Sequence, residues 1–342
     1  MNPSPSPASP RTIAVTGASG FVGRSVVREL SGRGYAVRGL VRDIGDAREA
    51  FGTTPANVEL VAGDICDDAV LGRLVKGAGA CIHLVGIIRE VRGKDRPQTF
   101  ERMHISGTRH VVDACRSAGV KRYLHMSALG SSADGRAEYQ RTKWEAERYV
   151  RRALGEGEAL DWTIFRPSLI HGPDGEFVQL IADMVSGEVP PFFFLPYFGR
   201  MRVDHRVPAG TIDWVPPKIQ PVAVEDVALA FAEALTREES IGEIYNLVGP
   251  DLMTWPQMLE FFRDTLPGAN RRLQPFYVPS EHAAAIATVA KTLGLGSLLP
   301  FDRGQALMGA EDSTGELSKA RTHLGLVPRG FRETVRTYAG AV

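Results

Sequence analysis

The chain has 342 residues, with 40 basic side chains balancing 40 acidic ones, three cysteines and eight histidines. That length suffices for about two domains with a sizeable core, and the balanced charge draws the chain neither to nucleic acid nor to an anionic membrane. Cys66, Cys81 and Cys115 are scattered, so they suggest a reducing compartment rather than a disulfide framework, and the dispersed histidines offer no metal-ligand pair.

Residues 1–10, MNPSPSPASP, alternate Pro with Ser and lack the basic start and apolar run of a signal peptide. They are read as a disordered tail on a soluble, cytoplasmic protein. TIAVT (12–16) then reads as a buried parallel strand. Gly17, Gly20 and Gly23 follow it, and Val22, Val26, Val27 and Leu30 recur at helical spacing up to Ser31-Gly32. Further strands are expected at 35–41, 58–64, 80–86, 122–128 and 162–167, with helices near 98–118 and 138–154 between them. This alternation predicts an α/β fold, a doubly wound parallel sheet with helices on both faces. After Gly175 the rhythm breaks. Residues 221–235 and 243–249 return a strand, a helix and a strand to the sheet. The expected division is a nucleotide-binding domain of residues 11–175 plus about 220–250, and a smaller lobe of about 176–219 and 251–342. HAAAIATVAKTLGLGSLLPF (282–301) is interrupted by Lys291 and glycines, so it is read as a core helix plus loop rather than a membrane span.

The three glycines sit where a strand turns into a helix. There the first permits the turn, the second lets backbone approach a pyrophosphate, and the third allows close helix packing. The helix start at Phe21 and Val22 offers free N–H groups and a partial positive charge to phosphate, and Ser19 adds a hydroxyl. At the end of the second strand stand Val41, Arg42 and Asp43. A cation with no acid at the usual position favours the 2′-phosphate of NADP(H) over NAD; an ordinary solvated Arg42–Asp43 pair is the other reading. Asp64 and Ile65 are placed by an adenine, and Leu84, Val85 and Gly86 toward the ribose and nicotinamide.

Tyr139 and Lys143 stand at i and i+4 on one predicted helix. An ammonium near a phenol favours the phenolate and lowers its pKa, as acid–base chemistry near neutral pH requires. Ser127, ending the fifth strand, is a candidate to hydrogen-bond a substrate oxygen, with Ser131 and Ser132 as alternatives. VPPFFFLPYFG (189–199) concentrates five aromatic side chains between Phe192 and Phe198. Three readings stand for it: core of the smaller lobe, lining of a pocket for a lipophilic substrate such as a quinone or isoprenoid, or a patch docking on a protein or membrane surface.

TGASGFVG, GDI, YQRTK, FRPSLIHGP and PVAVEDVA together resemble landmarks of the short-chain dehydrogenase/reductase superfamily, in its extended and atypical branches. LVGIIRE, MSALG and the closely following YQRTK are most similar to relatives of the NAD(P)-binding accessory subunit of respiratory complex I. The resemblance implies a Rossmann fold, proton relay through Tyr139 and Lys143, and Pro167 and Ser168 beside the nicotinamide. Three departures stand out: Ala128 where extended members carry Ser or Thr, a short interval from Ser127 to Tyr139, and His104 in place of the relay Asn. Two functions therefore stand. One is an NAD(P)-dependent oxidoreductase, or an epimerase or dehydratase-like enzyme, acting on a small molecule. The other is a subunit or sensor that binds NADP(H) tightly without turning it over.

Overall fold

The structure is a computed structural model that describes residues 12–91, 97–152, 160–188, 194–204, 211–295 and 299–342. The expected tail 1–10, and Phe192 and Phe193 of the aromatic segment, lie outside the described residues. β1 (Thr12–Thr16) runs into α1 (Phe21–Gly32), and β2 (Ala36–Val41), α2 (Ile44–Phe51), β3 (Val58–Ala62), α3 (Asp68–Val75) and β4 (Ala80–His83) continue the alternation. A turn of π-helix (Glu101–Ser106) opens α4 (Gly107–Ser117), followed by β5 (Arg122–Met126), α5 (Glu138–Arg152) and β6 (Asp161–Pro167). Then come β7 (Ile170–His171), α6 (Glu176–Ser186), β8 (Leu195–Asp204), β9 (Thr211–Val215), β10 (Lys218–Ile219), β11 (Val222–Ala223) and α7 (Val224–Ala234). β12 (Glu243–Leu247), β13 (Met253–Thr254), α8 (Trp255–Thr265), β14 (Pro275–Pro279), α9 (Ser280–Thr292), α10 (Arg303–Met308), α11 (Ser318–Leu324) and α12 (Phe331–Tyr338) complete the chain.

Seven strands form one sheet in the order β12-β6-β5-β4-β1-β2-β3, each neighbouring pair parallel. The expected Rossmann fold is therefore present, and β12 joins the sheet from late in the chain as anticipated. Strand order reverses between β1 and β4, which opens a crevice at their carboxyl ends. Both faces of the sheet are buried. Val26, Val27 and Leu30 of α1 pack with Phe231 of α7 on one side, and Leu71, Leu74, Val111, Val112 and Val150 fill the other. A further apolar cluster joins Ile181, Leu195, Phe262 and Phe331. The aromatic segment divides: Leu195 is buried, Phe198 packs on Phe301, and Phe194 is exposed against Phe276 at 4.9 Å.

Three expectations need correction. The strand expected at 80–86 ends at His83, leaving residues 84–86 free to wall the crevice. The helix expected from 98 begins as a π-helical turn, a local widening that recurs at functional sites. The core helix expected in 282–301 is instead a surface helix, since α9 buries only Ser280, Ala283, Ala284 and Ala287, while Ile286, Val289 and Leu293 are 56%, 57% and 67% exposed.

Beneath the crevice lies a stack of buried imidazoles. His83 Nδ1 is 2.7 Å from the Thr16 hydroxyl and its Nε2 3.1 Å from that of Thr108. The ring of His125 stacks on it at 5.3 Å, and neither His125 nitrogen has a hydrogen-bond partner among the described residues. Burial, with a smaller push from Lys143, holds His83 at about 3; burial, then His83 and Lys143, holds His125 far below its ordinary value. A folded value below the unfolded 6.5 means that the neutral ring's contribution is whole above that pH. It is lost as the pH falls toward the folded value. Urea unfolding is therefore expected to show a loss of about 1–2 kcal/mol per buried ring between pH 6.5 and 5. His125→Phe should shrink that loss, and an equal loss in the variant would contradict the assignment.

Candidate functional site

β1 delivers the chain into its glycine turn at the point where strand order reverses. Gly17 has a φ of +72°, a left-handed conformation that costs glycine little. Gly20 is the N-cap of α1, with no side chain bonded to the first-turn amides and no acid in that turn. The N–H groups of Phe21, Val22 and Gly23 therefore keep the positive end of the helix uncapped. The Arg24 guanidinium donates to the Ser19 carbonyl at 2.9 Å and bonds Asp174, tying the turn down. The third glycine serves packing, because a β-carbon at Gly23 would stand 2.0 Å from the Gly17 oxygen.

Gly17, Ser19 and Gly20 form one wall of a cavity of about 280 Å³. The end of β2 supplies Arg42, the end of β3 leads to Asp64 and Ile65, and Leu84, Val85 and Gly86 close the side beyond β4. Arg42 is exposed and makes no ion pair among the described residues. Asp43 does not pair with it: its carboxylate accepts the Asp46 N–H at 2.9 Å and caps α2. Asp64 bonds Arg102 at 2.8 Å and the Cys66 amide at 2.9 Å, which fixes its carboxylate at the cavity edge. Leu40, Ile87, Gln98 and Met103 also line the space. Sequence reasoning did not single out these four, although Ile87 stands in LVGIIRE beside three residues that it did. A dinucleotide fits this setting chemically: uncapped helix amides and Arg42 suit phosphate, and Ile65 and Met103 suit a flat ring.

Phe21, Val22, Gly23, Tyr139, Lys143, Pro167 and Ser168 are not in the cavity walls. Gly86 links the two groups, since a β-carbon there would lie 2.6 Å from Lys143 Nζ and 3.6 Å from His104 Nε2. Lys143 is 3% exposed and donates to the Met126 carbonyl at 3.1 Å. Burial lowers its pKa to about 8, against a smaller opposing pull from Glu147. Glu147 is itself buried and grips Arg166 through both carboxylate oxygens, at 2.8 and 2.5 Å, which fixes α5 to β6.

Tyr139 packs edge-on against Phe100 at 6.0 Å and His104 at 5.4 Å. Burial pushes its hydroxyl up to about 12. The lowering anticipated from Lys143 is absent, because desolvation of the phenol outweighs an ammonium that is itself weakened and turned to a carbonyl. His104 is 1% exposed and holds two elements together. Its Nε2 lies 3.1 Å from both the N–H and the carbonyl oxygen of Ile87, and its Nδ1 lies 2.9 Å from Thr142 Oγ1, which is 2.9 Å from the Glu138 carbonyl. Burial, aided by Lys143, lowers His104 to about 2. The imidazole is therefore held neutral.

Ser127 is also committed. Ser131 donates to the Ala128 carbonyl at 2.7 Å, so the 3.0 Å contact between the two serines carries the Ser127 proton. Ser168 bonds Ser313 at 2.9 Å rather than facing the cavity.

Residues 17–187, half of the chain, match the NAD(P)H-binding family. A ceramide reductase of Caulobacter vibrioides is 37% identical over 163 residues, 47% of this chain and 47% of its own length. Sterol demethylase protein B of Methylococcus capsulatus is 28% identical over 94% of this chain and 95% of that protein. The mitochondrial NADH dehydrogenase (ubiquinone) 1 alpha subcomplex subunit 9 of Arabidopsis thaliana is 30% identical over 84% of this chain. The chain thus spans about half the length of the ceramide reductase and 64% of the plant subunit. Among solved structures, gox2253 superposes with a TM-score of 0.67 at 27% identity, over 95% of both chains. MoeE5 in complex with UDP-glucose and NAD shares the fold at 21% identity, with a TM-score of 0.66 over 96% of this chain and 97% of that one. Glycine turn, sheet order and sequence agree: the chain belongs to the NAD(P)H-binding family.

Proposed function

We propose that the protein is an NADP(H)-dependent oxidoreductase that interconverts a hydroxyl and a carbonyl on a lipophilic molecule. The observation that carries this reading is the contact at Gly86, where the wall of the nucleotide cavity meets the Tyr139–Lys143 face of α5. The amides of Phe21, Val22 and Gly23 would hold the pyrophosphate, Arg42 the 2′-phosphate, and Asp64 and Ile65 the adenosine end. A bound nicotinamide supplies or accepts hydride. Tyr139, kept protonated by burial, is suited to give its proton to a carbonyl oxygen, and Lys143 orients the ribose. Relatives named for ceramide and sterol chemistry support a lipophilic substrate, as does the exposed Phe194–Phe276 pair.

A second reading, a tightly binding subunit without turnover, is favoured by the closed Ser127–Ser131 bond and by Ala128. Mass spectrometry of nucleotide released from denatured protein, together with NADPH oxidation against long-chain ketones, separates them. Retained NADPH with no exchange supports the subunit; NAD or no nucleotide defeats the NADP(H) assignment. Arg42→Ala is expected to weaken NADPH about 10- to 100-fold, as loss of a charge-assisted pair should, and to leave NADH nearly unchanged. Equal losses for both would remove Arg42 from the 2′-phosphate.

A further inference from the structure

We infer that α9 is the surface by which this protein docks on a lipid bilayer carrying anionic headgroups. The inference rests on the lipophilic substrate proposed above, because a molecule held in a bilayer is met at the water–lipid boundary. The amphipathicity of α9 is inverted. Its buried face is built of alanines, while its largest aliphatic side chains, Ile286 and Val289, and Leu293 at its C-cap point outward at helical spacing. Packing alone would place the larger groups inside, where more apolar area leaves water. With Leu295 they make four of the thirteen large apolar side chains that are exposed among the described residues, within ten positions. Such a stripe is the part of an interfacial helix that enters the acyl boundary.

The same helix also lines a cavity beside the segment that leads into α5. Ala284, Ala285 and Thr288 line a cavity of about 500 Å³ with Arg136, Arg303 and Leu307. Arg136 stands three residues before Tyr139, and a β-carbon at Gly304 would meet that of Ala137 at 3.5 Å. The stripe and this cavity therefore share α9, and Arg136 ties the cavity to the segment before α5. Charge agrees with an anionic surface. Arg136 is paired with Glu281 at 3.0 Å, so among the described side chains that line this cavity or lie on α9 the cations left over are Arg303 and Lys291. Each cation near such a surface favours adsorption.

Full-length protein is sedimented with vesicles of phosphatidylcholine containing phosphatidylglycerol, and with vesicles of phosphatidylcholine alone. NADPH affinity is measured on the same preparations. Wild type is expected to pellet with the anionic vesicles, less with the neutral ones. Ile286→Ser/Val289→Ser/Leu293→Ser is expected to partition at least about tenfold more weakly, with NADPH affinity unchanged. Wild type left in the supernatant, or equal partition of the variant, would overturn the proposal. So would a wild-type dimer that the triple substitution converts to monomer, since the stripe would then be covered by a second copy. Absent NADPH binding in wild type that still pellets would defeat the oxidoreductase reading and leave the docking surface standing.

Discussion

Tyr139→Phe is expected to lower NADPH-dependent carbonyl reduction by about 10²- to 10⁴-fold, the usual contribution of a positioned proton donor, with NADPH affinity held within about twofold. The reason lies in how the phenol is held. Its ring is fixed between Phe100 and His104, contacts that phenylalanine keeps, so only the proton is removed. The neighbouring groups offer no ready substitute: His104 uses both nitrogens in fixed bonds, and the Ser127 proton is committed to Ser131. The loss should therefore fall on kcat rather than on binding. Turnover near the wild-type rate would show that Tyr139 is not the donor.

Gly23→Ala is expected to cost about 4 kcal/mol or more, at the exceptional end of single substitutions. The added carbon would lie 2.0 Å from the Gly17 oxygen and 2.8 Å from both the carbonyl carbon and the oxygen of Ala18. All three are backbone atoms, so no side chain can swing aside, and α1 would have to lift off the glycine turn. Urea unfolding and NADPH titration should both register the change. Gly32→Ala on the same helix is the control. It meets nothing within 4 Å, so it should be neutral or stabilise by about 0.4–1 kcal/mol. Wild-type stability in Gly23→Ala would show that the turn is not rigid.

The sheet was legible because short runs rich in aliphatic residues, such as TIAVT before Gly17, alternate with segments of helical period, a pattern that burial between two helical layers imposes. The walls of the nucleotide cavity were readable wherever they follow a strand end, as at Arg42, Asp64 and Leu84. Gln98 and Met103 were not, because they arrive from a loop and a π-helical turn that no period marks. Arg42 and Asp43 are adjacent and opposite in charge, so only the observed cap on α2 separates their roles. The phenol's acidity was misjudged for a similar reason: spacing reveals that Lys143 is near, but not that burial weakens both groups. α9 failed as a core helix because alanine-rich apolar sequence looks the same whether its large side chains face inward or outward.

The bridge from Ile87 through the imidazole of His104 to Thr142 joins a side of the nucleotide chamber to the rod that bears the phenol. The two are coupled by one uncharged heterocycle, so a displacement at either end is transmitted to the other as a rigid linkage. The nitrogen resonances of that ring therefore report on both of its contacts at once, one on the cavity wall and one on α5.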